Sequence, residues 1–485
     1  MDTSIQNRHH VLALGHALDA IRSQQFSKAE TIGLNVIDED PKNADAYFVA
    51  GFAAFERGNL AVALERLNQA ITLQSDIADF YTHRGVVLAA LKQPEEAIRD
   101  FNRTLKITPD DPSALANLAR LYVQQGEARQ ALPLIQQALR HQPDDPVLLG
   151  DMAVILVQCK QPHDALPLYE QALRLSPNDA EIHCNYSRAL LMVEQYPHGW
   201  QENEWRWHSR QYQKIAKNFP APIWNGVSLI GKRITMVSEQ GFGDALQFLR
   251  YAPLLKKKQA EVIVWCRPEL TRLFQSAQGV DLAVSLQDPL PATDFCIPML
   301  SLPLVFDTCI DTIPNTPYLN VPPDILSPMS GSAKQMRVGV VWSGNNQRGF
   351  RFQDLEPLFA IPNIEFHSLQ YGPEAVKAQE RGMIEWSAHL TDFAATAAII
   401  SRLDLVITID TAVAHLAGGL GKPFWLLTHA TSDWRWGLSG TSTPWYPTAR
   451  LFRQTVTGQW DEVIGQVTQA LQQSMRELFQ RATLF

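Results

Sequence analysis

The chain has 485 residues, 19% of them charged and 46% hydrophobic, with a formal net charge of -8. That length exceeds what a single core organises, so roughly two to four domains are expected, and the composition excludes a disordered chain. The acidic balance supplies no general attraction for nucleic acid.

Five cysteines (Cys159, Cys184, Cys266, Cys296 and Cys309) are scattered, with no C-x-x-C pair. They fit reduced thiols and neither a disulfide framework nor a zinc site. The opening MDTSIQNRHH lacks the apolar core of a signal peptide. No stretch approaches the roughly 20 apolar residues of a membrane span. A soluble, cytoplasmic protein without a membrane span is expected.

The first two hundred residues are periodic. Small residues recur every 34 positions at Ala17, Gly51, Gly85, Ala119, Ala153 and Ser187. A second series with the same step runs Ala29, Ala63, Ala97, Ala131 and Ala165, with Gly199 in the sixth slot. A third reads Pro41, Ser75, Pro109, Pro143 and Pro177. Each unit holds two short amphipathic patterns, such as ALANLARLYVQQG followed by ARQALPLIQQALRHQP. The layout resembles the tetratricopeptide repeat over about residues 10–213, with a degenerate sixth unit. Such units stack into an α superhelix with a concave groove. The groove has two readings: a spacer or dimerisation surface, and a docking surface for a protein acceptor. His83, His141 and His163 stand alone on repeat helices and read as solvated or packing residues.

HGWQENEWRWHSRQYQ follows, with Trp200, Trp205 and Trp207. These tryptophans suit a capping helix that seals the last repeat; stacking on a sugar or base is the competing role. A proline-bearing connector, NFPAPIWNG, leads out of the repeats. From Arg233 the pattern is β/α: ITMVS, EVIVWC and DLAVSL read as strands, with ALQFLRYAPLLKKK and ELTRLFQSA as helices between them. PYLNVPPDILSPMSGSAKQM reads as a linker, and RVGVVWSG opens a second series with IEFHSLQ, DLVITI and FWLLT as strands. The expected organisation is a repeat domain (1–213), a linker (214–232), and two Rossmann-type lobes (233–325 and 337–485) facing each other across a cleft.

Ligands of open α/β sheets bind beyond the carboxyl ends of the strands. In EQGFGDAL, Gly241 and Gly243 allow a sharp turn and a close approach, but Leu246 stands where a dinucleotide fingerprint needs its third glycine. Asp244 opens the following helix, either as a cap or as a general base. WSGNNQRGFR offers Asn345, Arg348 and Arg351, and guanidinium groups beside glycines suit phosphate; solvated, unpaired arginines are the alternative. In VITIDTAVAHLAGGLGKPFWLL a helix begins at a strand end, aiming free N–H groups at an anion. Thr411 supplies a hydroxyl, His415 follows one turn later, and Ala412, Ala414, Ala417, Gly418 and Gly419 leave room. Asp410 orients the turn, because a carboxylate beside a phosphate is repulsive. In SDWRWGL, Trp434 and Trp436 suit either packing or the flanks of a base, and Asp433 and Arg435 suit polar contacts. No D-x-D triplet occurs in this half, so no metal ion or cofactor is expected, and helix dipole, His415 and arginine are left to meet leaving-group charge.

EQGFGDALQFLRYAPLL, SLPLVF, PYLNVP, VGVVWSGN, SLQYG, ITIDTAVAHLAGGLGKPFWLL, DWRWGL and PWYPTARLFRQ resemble bacterial tetratricopeptide-repeat glycosyltransferases. The catalytic half of those proteins is similar to the ADP-heptose:lipopolysaccharide heptosyltransferases, with a GT-B fold. The resemblance implies inverting, metal-independent transfer from a nucleotide-sugar donor held mainly by the C-terminal lobe. It implies Asp244 as base, Asp410, Thr411 and Ala412 with His415 as the donor phosphate site, Arg348 and Arg351 as leaving-group contacts, and Gln370 at the ribose or base. It also implies a protein acceptor captured by the repeats, flagellin-like proteins among them. A non-catalytic repeat scaffold with a vestigial nucleotide site, and a transferase acting on lipopolysaccharide or another glycan, are the alternatives. The segment THATSDWRWGLSGTST departs from the usual family text, which bears on sugar and base specificity.

Overall fold

The computed structural model describes residues 3–329, 335–344 and 349–482. Two compact units emerge, Met1–Ile182 and His183–Phe485.

The first unit is built of antiparallel helix pairs: α1 (Thr3–Arg22), α2 (Phe26–Glu39), α3 (Ala44–Glu56), α4 (Leu60–Leu73), α5 (Ala78–Ala90), α6 (Pro94–Ile107), α7 (Pro112–Gln124), α8 (Ala128–His141), α9 (Pro146–Gln158) and α10 (Pro162–Leu175). The small residues of the 34-step series lie where these helices touch. Ala29, Ala63, Ala97, Ala131 and Ala165 are wholly buried. A Cβ on Gly51 would stand 3.1 Å from Leu67 Cγ, and one on Gly85 would stand 2.7 Å from the Phe101 ring. The same period is written in the helix starts. Asn43 caps α3 through Ala46 N at 3.0 Å, Asp111 caps α7 through Ala114 N at 2.7 Å, and Asp145 caps α9 through Val147 N and Leu148 N. Two residues before each cap comes the turn proline, Pro41, Pro109 or Pro143.

Helix α11 (Ala180–Met192) belongs to the second unit from His183 onward, so the sixth repeat is grouped with the α/β half, earlier than the 213 boundary read from sequence. In this repeat the series residues make a polar contact: Ser187 donates its hydroxyl to Gly199 O at 2.8 Å. After α12 (Tyr196–Asn203) and α13 (Arg210–Ala216) come two parallel sheets. The first orders β1 (Arg233–Val237), β2 (Glu261–Cys266), β3 (Leu282–Ser285) and β4 (Phe295–Pro298) as β3-β2-β1-β4. The second contains β5 (Met336–Val340), β6 (Ile364–Ser368), β7 (Ile384–Glu385), β8 (Leu405–Ile409), β9 (Phe424–Thr428) and β10 (Ala449–Arg453), ordered β10-β9-β8-β5-β6-β7. Read from its far edge, the second sheet has the doubly wound order 3-2-1-4-5-6, in which the strand order reverses between β5 and β8.

Strands β4, β7 and β10 escape the sequence reading. The first two are four and two residues long, and the third carries arginines at two of its five positions. The helix expected over ALQFLRYAPLLKKK is three pieces: α14 (Phe242–Phe248), a 3-10 turn at Leu249–Tyr251, and α15 (Ala252–Lys257). Pro253 lacks the N–H that would continue the ladder. The remaining helices are α16 (Pro268–Gln275), α17 (Leu302–Val305), α18 (Glu356–Phe359), α19 (Phe393–Ile400), α20 (Ala412–Gly419) and α21 (Asp461–Ala482).

One apolar core runs through both lobes, joining Phe248, Leu249 and Tyr251 to Trp434, Trp445 and Tyr446. Arg250, 2% exposed, donates to Trp445 O at 2.8 Å and to Pro314 O at 3.2 Å, and its guanidinium lies 4.6 Å from the centre of the Tyr446 ring. The segment between the sheets is anchored too, since Tyr318 N and Leu319 N both reach Gly419 O at 3.0 Å.

Candidate functional site

A cavity of about 380 Å³ lies within the second unit, at the carboxyl ends of β1 and β8. Gly243 and Asp244, which follow β1, line it, as do Asp410, Thr411, Ala412, His415, Asp433, Trp434 and Arg435. The remaining wall comes from Gln240, Leu300 and the segment from α11 through α13, including Ser187, Arg188, Arg206 and Tyr212.

On the β1 side, Asp244 is the third residue of α14 and its Oδ2 accepts Gly241 N at 3.3 Å. Neither Gly241 nor Gly243 has a positive φ, so the sharp-turn role expected for them does not apply. Gly243 is small for another reason: a Cβ there would stand 2.9 Å from His415 Cδ2. The two motifs singled out separately in the sequence therefore touch.

On the β8 side, Thr411 takes the N-cap position of α20 with extended backbone but makes no side-chain cap; its hydroxyl lies 3.2 Å from Thr408 Oγ1. The first turn of α20 consequently keeps N–H groups without a side-chain partner among the described residues, at a wall of the cavity. The glycines of this helix serve packing and do not clear space for a phosphate. A Cβ on Gly418 would lie 2.2 Å from Tyr446 Cδ1, and one on Gly419 would lie 2.5 Å from Leu319 Cδ1. Ala414 and Ala417 are wholly buried in the same core.

His415 is 5% exposed. Its Nδ1 is 2.8 Å from the Tyr446 hydroxyl, and its ring stacks on Trp436 with centroids 5.4 Å apart. Burial, then Arg435 and Arg250, hold its pKa well below the usual 6.5, so the ring is neutral. It can exchange one hydrogen bond with a ligand but cannot offer a positive charge.

Arg435 is the electrostatic centre of the wall. Its Nη2 donates to Asp244 Oδ1 at 2.5 Å, its Nη1 donates to Asp433 Oδ1 at 2.8 Å, and its Nε donates to Gln247. Burial opposes its charge, but Asp433 and Asp244 outweigh that and raise its pKa further. The side chain thus ties the two lobes together, where a contact to a donor sugar was expected. Trp434 is 8% exposed and packs edge-to-face on Trp200 at 5.3 Å and Trp445 at 5.4 Å, with Arg435 4.3 Å from its ring centre. Trp200 itself is 2% exposed and donates to Thr308 O, so it seals a core.

Two further expectations are corrected. Gln370 is buried, and its amide is fully used on backbone: Oε1 accepts Trp342 N and Ser343 N, while Nε2 donates to Ser343 O and Tyr371 O. It has no capacity left for a ribose or base. Arg351 is 80% exposed, pairs with Asp354 and does not line the cavity. Asn345 and Arg348 lie outside the described residues.

The sequence reading missed Glu239, although it lies in the glycine motif. Its fully buried carboxylate accepts Met299 N at 2.9 Å, Leu300 N at 3.0 Å and Arg206 Nη2 at 3.4 Å. Burial raises its pKa against the pull of Arg206. Arg206 also reaches Glu204 and Ser301, so α12–α13 and the end of β4 are fixed to the β1 loop. An acid two residues after a buried apolar strand and two before Gly241 was the available signal.

The tetratricopeptide repeat family matches residues 14–73, 53–112 and 88–155. Protein FlbA of Caulobacter vibrioides is 24% identical over 549 residues, covering 96% of this chain and 90% of that protein, so the likeness spans both units. Human tetratricopeptide repeat protein 6 is 28% identical over 127 residues, 26% of this chain and 24% of that protein. Among solved structures, a thermophilic repeat protein of Thermus thermophilus aligns with 38% of this chain and 99% of its own, at 19% identity and a TM-score of 0.34. The chain is an α superhelix of tetratricopeptide repeats followed by an α/β half. No helix among the described residues is long and apolar enough to cross a membrane.

Proposed function

We propose that this chain is a glycosyltransferase of GT-B type that moves a sugar from a nucleotide-sugar donor to an acceptor hydroxyl, inverting and without a metal ion, with the repeats engaging a protein acceptor. The acceptor oxygen attacks the anomeric carbon, the bond from that carbon to the phosphate oxygen breaks, and its electron pair leaves with the nucleotide. The acceptor proton passes to Asp244. Since Oδ1 of Asp244 is held by Arg435, the receiving atom is Oδ2, whose one protein contact among the described residues is the long bond from Gly241 N. Departing phosphate charge is met by the N-terminus of α20 and by a hydrogen bond from His415.

The observation that carries this reading is that Asp244 and the uncapped start of α20 line one cavity at the switch points of two parallel sheets. Turnover of UDP-, ADP-, GDP- and CMP-sugars tests it. Asp244→Asn should lower turnover about 10²–10⁴-fold, the usual worth of a general base. Full turnover in both Asp244→Asn and His415→Ala would remove the assignment.

A second reading draws on the Asp244–Arg435 ion pair, which commits the carboxylate to joining the lobes. A repeat scaffold that retains only nucleotide affinity would bind a nucleotide sugar in titration and never consume it.

A further inference from the structure

Among the described residues, three aspartates (Asp244, Asp410 and Asp433) and three arginines (Arg188, Arg206 and Arg435) line the cavity. Two of the arginines are already matched. Arg435 is held by Asp244 and Asp433, and Arg206, 3% exposed, is held by Glu204 and Glu239. Arg188 differs. It is exposed on α11, its guanidinium donates to the neutral Asn185 Oδ1 at 3.0 Å, and it enters no ion pair among the described residues.

Among the described residues, the reading of the cavity as a nucleotide-sugar site leaves a charge problem that Arg188 answers. A diphosphate brings about two negative charges, whereas a helix N-terminus supplies roughly half a positive one. His415, neutral, adds none. Its Nε2 nevertheless has no hydrogen-bond partner among the described residues, although the residue is only 5% exposed and lines the cavity. That nitrogen is open to a ligand entering the cavity. On the facing wall the Tyr212 hydroxyl likewise makes no hydrogen bond among the described residues, and it lies within electrostatic reach of both Arg188 and Asp244.

We propose that Arg188 is a ligand of the donor diphosphate, so that the phosphates are held between the start of α20 and the wall formed by α11 and α13. The inference rests on the nucleotide-sugar reading and deepens it. A planar guanidinium presents two parallel N–H donors to a phosphate, which a lysine cannot reproduce. The catalytic unit therefore includes the sixth repeat, and cutting the chain at 213 to isolate the α/β half removes a binding residue along with the repeats.

The test uses the full chain and the nucleoside diphosphates UDP, GDP and ADP, with CMP as the cytidine probe, each measured by calorimetric titration beside its parent nucleoside. Arg188→Gln should weaken the preferred nucleotide about 10–100-fold, the worth of a charge-assisted contact, and leave the nucleoside unchanged. Arg188→Lys should recover part of the loss. Unchanged nucleotide affinity in Arg188→Gln overturns the proposal while leaving the transferase reading intact, as does an equal loss for nucleotide and nucleoside or a change confined to the acceptor KM. Failure of the wild-type chain to bind any of the four overturns both. Asp244→Asn should bind nucleotide and fail in transfer, which separates the two roles.

Discussion

A Cβ placed on Gly243 would lie 2.9 Å from His415 Cδ2, so the turn after β1 and the helix after β8 meet in van der Waals contact across the two lobes. The ring edge cannot yield, because Trp436 stacks on it and Tyr446 holds Nδ1.

Gly243→Ala should therefore destabilise the second unit by about 1–3 kcal/mol, the usual cost of overpacking a tight contact. Urea unfolding measures it. Adding His415→Ala should return part of the loss, giving a coupling energy in the double-mutant cycle that two unrelated sites would not show.

Arg435 and Asp244 should not be equivalent in stability. Arg435→Gln leaves the half-buried Asp244 and Asp433 without their cation and should cost about 1–3 kcal/mol, solvent screening keeping it below the cost of breaking a fully buried pair. Asp244→Asn leaves Arg435 still held by Asp433 and Gln247 and should cost under half as much. Equal losses in a chemical melt would mean that Asp433 contributes nothing.

His415 gives stability a pH dependence of known sign. Its folded-state pKa is depressed, so its contribution is complete above the unfolded value near 6.5 and is lost as pH falls toward the folded one. In that window the unfolded chain binds the proton first, and stability falls by at most about 1.4 kcal/mol per pH unit for one such group. His367, also lowered by burial, adds in the same direction. Unfolding free energies measured between pH 7.5 and 5.5 should flatten in His415→Gln and keep the share due to His367.

Glu239→Gln exchanges an acceptor for a donor in front of Met299 N, Leu300 N and Arg206. One buried N–H then loses its partner, at a cost of about 1–3 kcal/mol. Because this carboxylate positions the loop that carries Asp244, turnover should fall while nucleotide affinity is retained. Loss of affinity instead would show that the loop supports the donor.

Periodicity was legible because each 34-residue unit meets its neighbour through the same few contacts, and Ala63 or Gly85 leaves a mark wherever two helices touch. The strand ends were legible for a related local reason. A buried apolar run that stops at Asp410-Thr411 or at Ser238-Glu239 reports a change of backbone direction whatever surrounds it. Cap residues such as Asp145 carry the same kind of information.

Partners of polar side chains were not legible. Gln370 could have faced a ribose as well as the backbone of Trp342 and Ser343; only the register of β5 against β6 decided it. Arg435 could have met a sugar, but two lobes far apart in sequence bring Asp244 to it. Gly418 is small because Tyr446 crosses α20 at that point. The sequence by itself determined the repeats, the alternation of strands and helices, and the ends where a ligand could bind. Which side chains remain free for that ligand was set by the tertiary structure alone, because a hydrogen bond or ion pair depends on distances that chain order does not encode.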